Sequence, residues 1–252
     1  MADREDHTRN EAAPWSDFDA EAYWKCNYEF VYPEDEQIIG RASDFLIKAY
    51  EHRPPATMAL DVGAGTNLYP ALLMLPWAER IVFTEYAQPN IDWLSDHLAV
   101  APSAWTWQPF WDLVAGRPGY AQLEQPRRRL ADSHDIRHLS VFDLPAHTWD
   151  LGSMFFVADG ITSDEGEFTT AVHTFVRALI PGSPFMMAFM EASVGYDVSG
   201  VGFPAVALTA DSLRALLREL PISDTQVLRT DNSVRPLRPG YDAMLLVTGF
   251  AV

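Results

Sequence analysis

At 252 residues, 48% of them hydrophobic, the chain is long enough for one α/β domain with decoration. A net charge of −17, with only Lys25 and Lys48 as lysines among 18 cations, argues against DNA or RNA as a partner, because polyanion binding rests on a positive field. The single cysteine, Cys26, excludes a disulfide framework and a multi-cysteine metal site, while the acidic N-terminus and the lack of any long apolar run argue against a secretory signal and a membrane span, so a cytoplasmic location is expected.

Residues 1–16 are polar and aperiodic and are expected to form a flexible tail. Residues 17–252 are expected to make a single domain. Its first part, 17–52, begins with an aromatic-rich stretch (Phe18, Tyr23, Trp24, Tyr28) and continues into a helix over 35–52, where Ile38, Ile39, Ala42, Phe45, Leu46 and Ala49 recur at helical spacing. Strand and helix then alternate: strand 57–62, helix 67–75, strand 80–84, helix 89–99. Residues 101–138 break the alternation and read as an insertion with short helices. Its Trp105, Trp107 and Trp111 are expected to pack, Arg127–Arg129 to face solvent, and His134 and His138 to carry no metal. Strands at 139–144 and 153–158, helix 165–179 and strand 184–190 follow, the last apolar throughout as in a sheet covered on both faces. Helix 210–220 precedes two strands, 224–230 and 243–251, joined without a helix. Cys26 is expected to be a half-buried filler.

The most informative stretch is Ala59-Leu60-Asp61-Val62-Gly63-Ala64-Gly65, a strand running into a glycine turn and a helix. A second strand ends in a carboxylate, Glu85, 20 residues after Gly65. That arrangement places a nucleoside over the turn with its ribose hydroxyls on the acid. A dinucleotide fingerprint needs a third glycine for a pyrophosphate at the helix N-terminus, and Leu68 stands there instead. The D-x-G-x-G pattern fits S-adenosylmethionine (SAM) better. A tight turn with no ligand is the bland alternative.

These residues resemble the class I SAM-dependent methyltransferases, and within them the nicotinamide, phenylethanolamine and thioether (indolethylamine) methyltransferase group. The resemblance rests on Phe18-Asp19, Tyr23 and Tyr28; Leu60 to Gly65 with Tyr69; Thr84-Glu85-Tyr86 with Asn90; Ala104-Trp105, Trp107 and Pro109; and Leu179-Ile180-Pro181-Gly182. It implies a Rossmann-like, seven-stranded, mostly parallel α/β sheet with an antiparallel last strand, helices on both faces and an N-terminal helical lid. It implies SAM as cofactor and S-adenosylhomocysteine as product. It also implies roles: Tyr23 and Tyr28 on the methionyl carboxylate; Asp61, Gly63, Ala64, Gly65 and Tyr69 around the methionine; Glu85 and Asn90 on the ribose; Tyr86, Asp143 and Leu144 on the adenine. The chain departs from the group where Glu85 replaces a more usual Asp, where Ala64 replaces Ser, and at 158–162, which matches the vertebrate enzymes poorly.

Methyl transfer from a sulfonium is an in-line displacement that needs no nucleophilic side chain, so no catalytic residue is singled out. The acceptor is expected to be a small molecule, methylated at an amine or ring nitrogen. Asp159, Glu191 and Asp242 fall near strand ends where carboxylates would orient such a group, and Tyr196 is placed on the same wall. Two further readings stay open: a lyase or cyclase that consumes SAM and releases methylthioadenosine, and a non-catalytic SAM-binding module. A monomer or homodimer is expected. The preference for Arg over Lys is what a GC-rich bacterial genome produces.

Overall fold

Asp19 starts the first helix by accepting the Ala22 N–H at 2.9 Å, a side-chain N-cap. That helix, α1 (Ala20–Tyr28), leads into α2 (Pro33–Ala49), which opens on Pro33 at its first position and a Tyr32 N–H that donates to Asp35 at 3.2 Å. Helix α2 buries Ile38, Ile39, Ala42 and Leu46, the stripe its periodicity predicts. The computed structural model describes residues 9–99, 105–230 and 240–252.

From residue 56 the chain alternates. β1 (Ala56–Val62) is followed by α3 (Tyr69–Met74), β2 (Ala78–Glu85) and α4 (Gln88–Leu98). Two short helices, α5 (Gln108–Asp112) and α6 (Pro126–Ser133), precede β3 (His134–His138) and β4 (Leu151–Phe155). Then come α7 (Glu165–Ala178), β5 (Pro184–Glu191), a hairpin of β6 (Tyr196–Val198) and β7 (Val201–Phe203), α8 (Ala210–Leu217), β8 (Ile222–Arg229) and β9 (Ala243–Ala251). The large sheet has the order β3-β2-β1-β4-β5-β9-β8, with β9 antiparallel to both its neighbours and the strands from β3 to β5 parallel. This is the expected Rossmann-like methyltransferase sheet.

The apolar residues of its two faces form separate cores. One gathers Ile38, Leu46, Leu72 and Phe83; the other gathers Trp149, Phe175, Leu213 and Leu245. The strand order reverses between the parallel β1 and β4, from which successive connections lead to opposite edges of the sheet, so the C-terminal ends of β1, β2 and β4 open a crevice there.

Four local expectations are corrected. The third strand is His134–His138, not 139–144; it runs parallel to β2, with Glu85 opposite His138. An edge strand is half-exposed and tolerates a polar sequence, and the apolar run after it belongs to a loop with one tight turn, where Val141 and Leu144 pack against the α7 side of the core. Arg129 is not merely solvated: it donates to the Ala78 and Glu79 carbonyls at 2.6 and 3.0 Å. Cys26 is exposed. Residues 9–16, expected to belong to the tail, pack instead: the Asn10 N–H donates to Glu167 at 2.9 Å and Trp15 stacks on Phe203. Residues 1–8, and 101–104 at the start of the insertion (Ala104 included), lie outside the described residues. Among the described residues no helix is long and apolar enough to cross a membrane.

Candidate functional site

Gly63 and Gly65 turn the chain out of β1 with φ of +57° and +52°, the left-handed region that glycine enters without cost. At Gly63 there is no room for a side chain either: a Cβ would lie 2.7 Å from both methyls of Val157. The turn is then fixed from β2. Glu85 is 6% exposed, and its Oε2 accepts the Gly65 N–H at 2.8 Å while Oε1 accepts the Tyr86 and Ala87 N–H groups at 2.7 and 2.8 Å. Burial raises the pKa of this carboxyl, and the three N–H groups partly offset that.

Above the turn lies a cleft of about 760 Å³ up to its open mouth. Of the residues expected at the cofactor, Tyr23, Tyr28, Gly63, Ala64, Gly65, Glu85, Tyr86 and Asn90 line it. Thr66 and Asn67, both buried, belong to the same wall. Its roof comes from the N-terminal segment. Trp15 and Phe18 pack on Phe203 with ring centroids 5.2 and 5.1 Å apart, Tyr23 lies 5.9 Å from Tyr196, and Ser199 donates to Asp19 at 2.8 Å.

Four predicted cofactor residues are not on this wall. Asp61 is buried in the sheet, where it accepts the Ser153 hydroxyl at 2.7 Å across the β1–β4 pair; burial raises its pKa to about 7. Tyr69 backs the cleft from behind, packed between Tyr28, Phe110 and Phe155. Asp143 is exposed and Leu144 is core, because β3 ends at His138 and the cleft wall is built from Leu139, Ser140 and Val141.

A second cavity of about 440 Å³ adjoins the first and shares Tyr23, Tyr28, Phe156, Gly160 and Tyr196 with it. Asp159 and Tyr196 line it as predicted. Asp159 is 1% exposed and accepts the Met190 N–H at 2.7 Å. Glu191 and Asp242 do not line it. Glu191 is turned to the start of α8 and to β8, accepting the Ala210 N–H at 3.1 Å and the Arg229 Nε–H at 2.6 Å. Asp242 is exposed, and its N–H donates to the Glu191 carbonyl. Phe156 holds a positive φ of 60° where the cavities meet, a strained conformation for a bulky residue of the kind that gathers at functional sites.

The model of the NNMT/PNMT/TEMT family matches residues 7–236. The chain belongs to that family. As a family member it is a class I SAM-dependent methyltransferase, with SAM as cofactor. No curated protein sequence matches it significantly. Its fold is similar to three solved structures. Magnesium protoporphyrin IX methyltransferase from Synechocystis PCC 6803, with bound SAM, is 10% identical (TM-score 0.54; 93% of this chain and 92% of that one). N-methyltransferase NodS from Bradyrhizobium japonicum, in complex with S-adenosylhomocysteine, is 12% identical (TM-score 0.50; 91% and 98%). A SAM-dependent methyltransferase from Thermotoga maritima is 11% identical (TM-score 0.51; 92% and 94%).

In this NNMT/PNMT/TEMT family member Asn27 and Asp35 carry no local signal that marks them as site residues, yet both line the second cavity and are buried. Asp35 reads in sequence as an ordinary acid in a first helical turn. Only the packing of α1 and α3 over that turn makes it an interior group. Thr66 and Asn67 were legible only as turn residues. Among the described residues no group of three or more His, Cys, Asp or Glu is arranged to hold a metal.

Proposed function

We propose that this methyltransferase acts on a nitrogen of a small-molecule acceptor. The observation that carries the cofactor's placement is the cleft over the Gly63–Gly65 turn, walled by the Glu85 carboxylate at the end of β2 and by Asn90 on α4. Glu85 and Asn90 take the ribose, Gly63 and Ala64 the methionine, and Tyr86 with the 139–141 segment the adenine. Tyr23 and Tyr28 close over the carboxylate end. Tyr69 and Asp61 support this wall from behind.

Bound SAM supplies a methyl carbon made electrophilic by its sulfonium. The chain's own contribution is positioning, which is worth roughly 7–11 kcal/mol in well-oriented systems. The aromatic roof excludes water, and Phe156 and Tyr196 hold the acceptor against the cofactor cleft. The second cavity, with its carboxylates, favours transfer over the self-consuming reaction, which needs no acceptor pocket.

Calorimetry with SAM, followed by incubation with and without amines, tests the reading. S-adenosylhomocysteine formed only with an acceptor supports it. Methylthioadenosine from SAM alone would replace it with the lyase or cyclase reaction, and SAM binding without turnover of any acceptor would leave a binding module.

A further inference from the structure

We propose that the hydrogen bond from Ser199 to Asp19 is the latch of a lid, and that Asp19 is a positioning residue that sets Tyr23 over the cofactor. The proposal rests on the placement of SAM given above and names what holds the roof over it.

Ser199 stands out on conformational grounds. The β6–β7 hairpin turns through two residues, Ser199 and Gly200, with φ of +53° and +87°. Positive φ at both is the pattern of a type I′ turn, whose first position favours Asn, Asp or Gly. Serine there bears a Cβ penalty that glycine would avoid. Asp197 fixes the turn by accepting the Gly200 N–H at 2.9 Å, so the turn itself has no need of the Ser199 hydroxyl. That hydroxyl leaves the hairpin and donates to Asp19 at 2.8 Å, 180 residues away in the sequence. A strained residue whose side chain serves a remote contact points to a use for that contact beyond the turn.

Asp19 divides its two oxygens between two elements. Oδ1 accepts the Ala22 N–H at 2.9 Å and so starts α1, while Oδ2 takes the Ser199 hydroxyl. These bonds, that from Ala22 foremost, hold the Asp19 carboxyl below its ordinary pKa, so the latch is charged at neutral pH. Four residues on, Tyr23 meets Tyr196 of the hairpin with ring centroids 5.9 Å apart; one residue before, Phe18 meets Phe203 at 5.1 Å. The far end of α1 is anchored separately, where buried Tyr28 packs on Tyr69 and Trp107. The near end is held to the hairpin by the latch and to α4 by the Trp93 indole N–H, which donates to Glu21 at 3.2 Å. Asp19 and Ser199 are both exposed, and a bond that water can replace breaks and re-forms at little cost. Such a bond suits a roof that admits and releases a ligand at every turnover.

The test uses the full chain and labelled SAM, chased with excess unlabelled S-adenosylhomocysteine, so it needs no acceptor. Ser199→Gly removes the hydroxyl and relieves the positive φ. It should raise the rate of SAM dissociation by about 3–10-fold while leaving the melting temperature unchanged or higher. Ser199→Asn suits the turn and returns an N–H donor, so it should bring the rate back toward that of the wild type. Asp19→Ser keeps an N-cap but has one oxygen for two partners. It should match Ser199→Gly, and the two together should release SAM no faster than either alone. An unchanged dissociation rate in Ser199→Gly would overturn the proposal. So would strictly additive effects in the pair, or a lower melting temperature in Ser199→Gly, which would give the hydroxyl a merely structural role. Failure of the wild type to bind SAM would strike at the cofactor placement itself, and the latch would fall with it.

Discussion

Glu85 and Gly65 hold each other across the crevice: the glycine N–H meets Oε2 at 2.8 Å while Oε1 is engaged by the two N–H groups that follow the strand. The acid assigned to a ribose is therefore also the clamp that shapes the turn beneath it. Glu85→Ala should weaken SAM binding by about 1.5–3 kcal/mol, the scale of a hydrogen bond to a charged group, and lower the melting temperature as well. Calorimetry and thermal melts separate the two effects. An unchanged dissociation constant would remove Glu85 from the ribose.

The two turn glycines should differ in their tolerance of alanine. Gly65→Ala incurs the left-handed backbone penalty of about 1–2 kcal/mol, since a Cβ there has space, the nearest atom being 3.7 Å away. Gly63→Ala adds a collision with Val157 and should cost about 2–4 kcal/mol in urea unfolding. Val157→Ala combined with Gly63→Ala should recover part of that loss. Strictly additive effects in this double-mutant cycle would show that the contact is not the cause.

Asp61 makes the fold sensitive to pH. Its carboxyl has a folded pKa of about 7 against an ordinary value of 3.8, because burial disfavours the charge. Its contribution to stability is therefore complete below about pH 4 and is lost as pH rises toward and through 7. Asp61→Asn keeps an acceptor for the Ser153 hydroxyl and removes the titration. Its stability relative to wild type should grow between acid and neutral pH, by on the order of 4 kcal/mol at most. A constant difference in chemical denaturation across that range would refute the assignment.

Glu191 should matter for stability rather than for turnover. It ties the first turn of α8 to Arg229 of β8 and lines neither cavity. Arg229→Ala should cost no more than about 1 kcal/mol, because the arginine is partly solvent-screened. Glu191→Gln should leave the KM for SAM and for the acceptor unchanged. A rise in the acceptor KM would return Glu191 to the pocket.

The backbone of the site was legible because glycine turns and apolar strands are local signals. Gly63, Gly65 and Glu85 follow from spacing along β1 and β2, and Asn90 from the resemblance to the family. The third strand was misplaced because hydrophobicity reports burial and an edge strand is only half-buried, so the apolar run after His138 looked more strand-like than the strand itself. That shift put the expected adenine contacts at Asp143 and Leu144, whereas the cleft is walled by Leu139, Ser140 and Val141. The acids failed for a different reason. Whether a carboxylate faces a cavity or a helix end depends on partners far away in sequence: Arg229 draws Glu191 aside, and α3 covers Asp35.

Trp15, Phe18, Asp19 and Tyr23 on one side, and Tyr196, Ser199 and Phe203 on the other, form a single seam from the N-terminal segment to the β6–β7 hairpin. One compartment cannot be unroofed without disturbing the other. Displacement of the N-terminal segment would expose the cofactor cleft and the adjoining cavity together, since Tyr23 and Tyr196 belong to the walls of both.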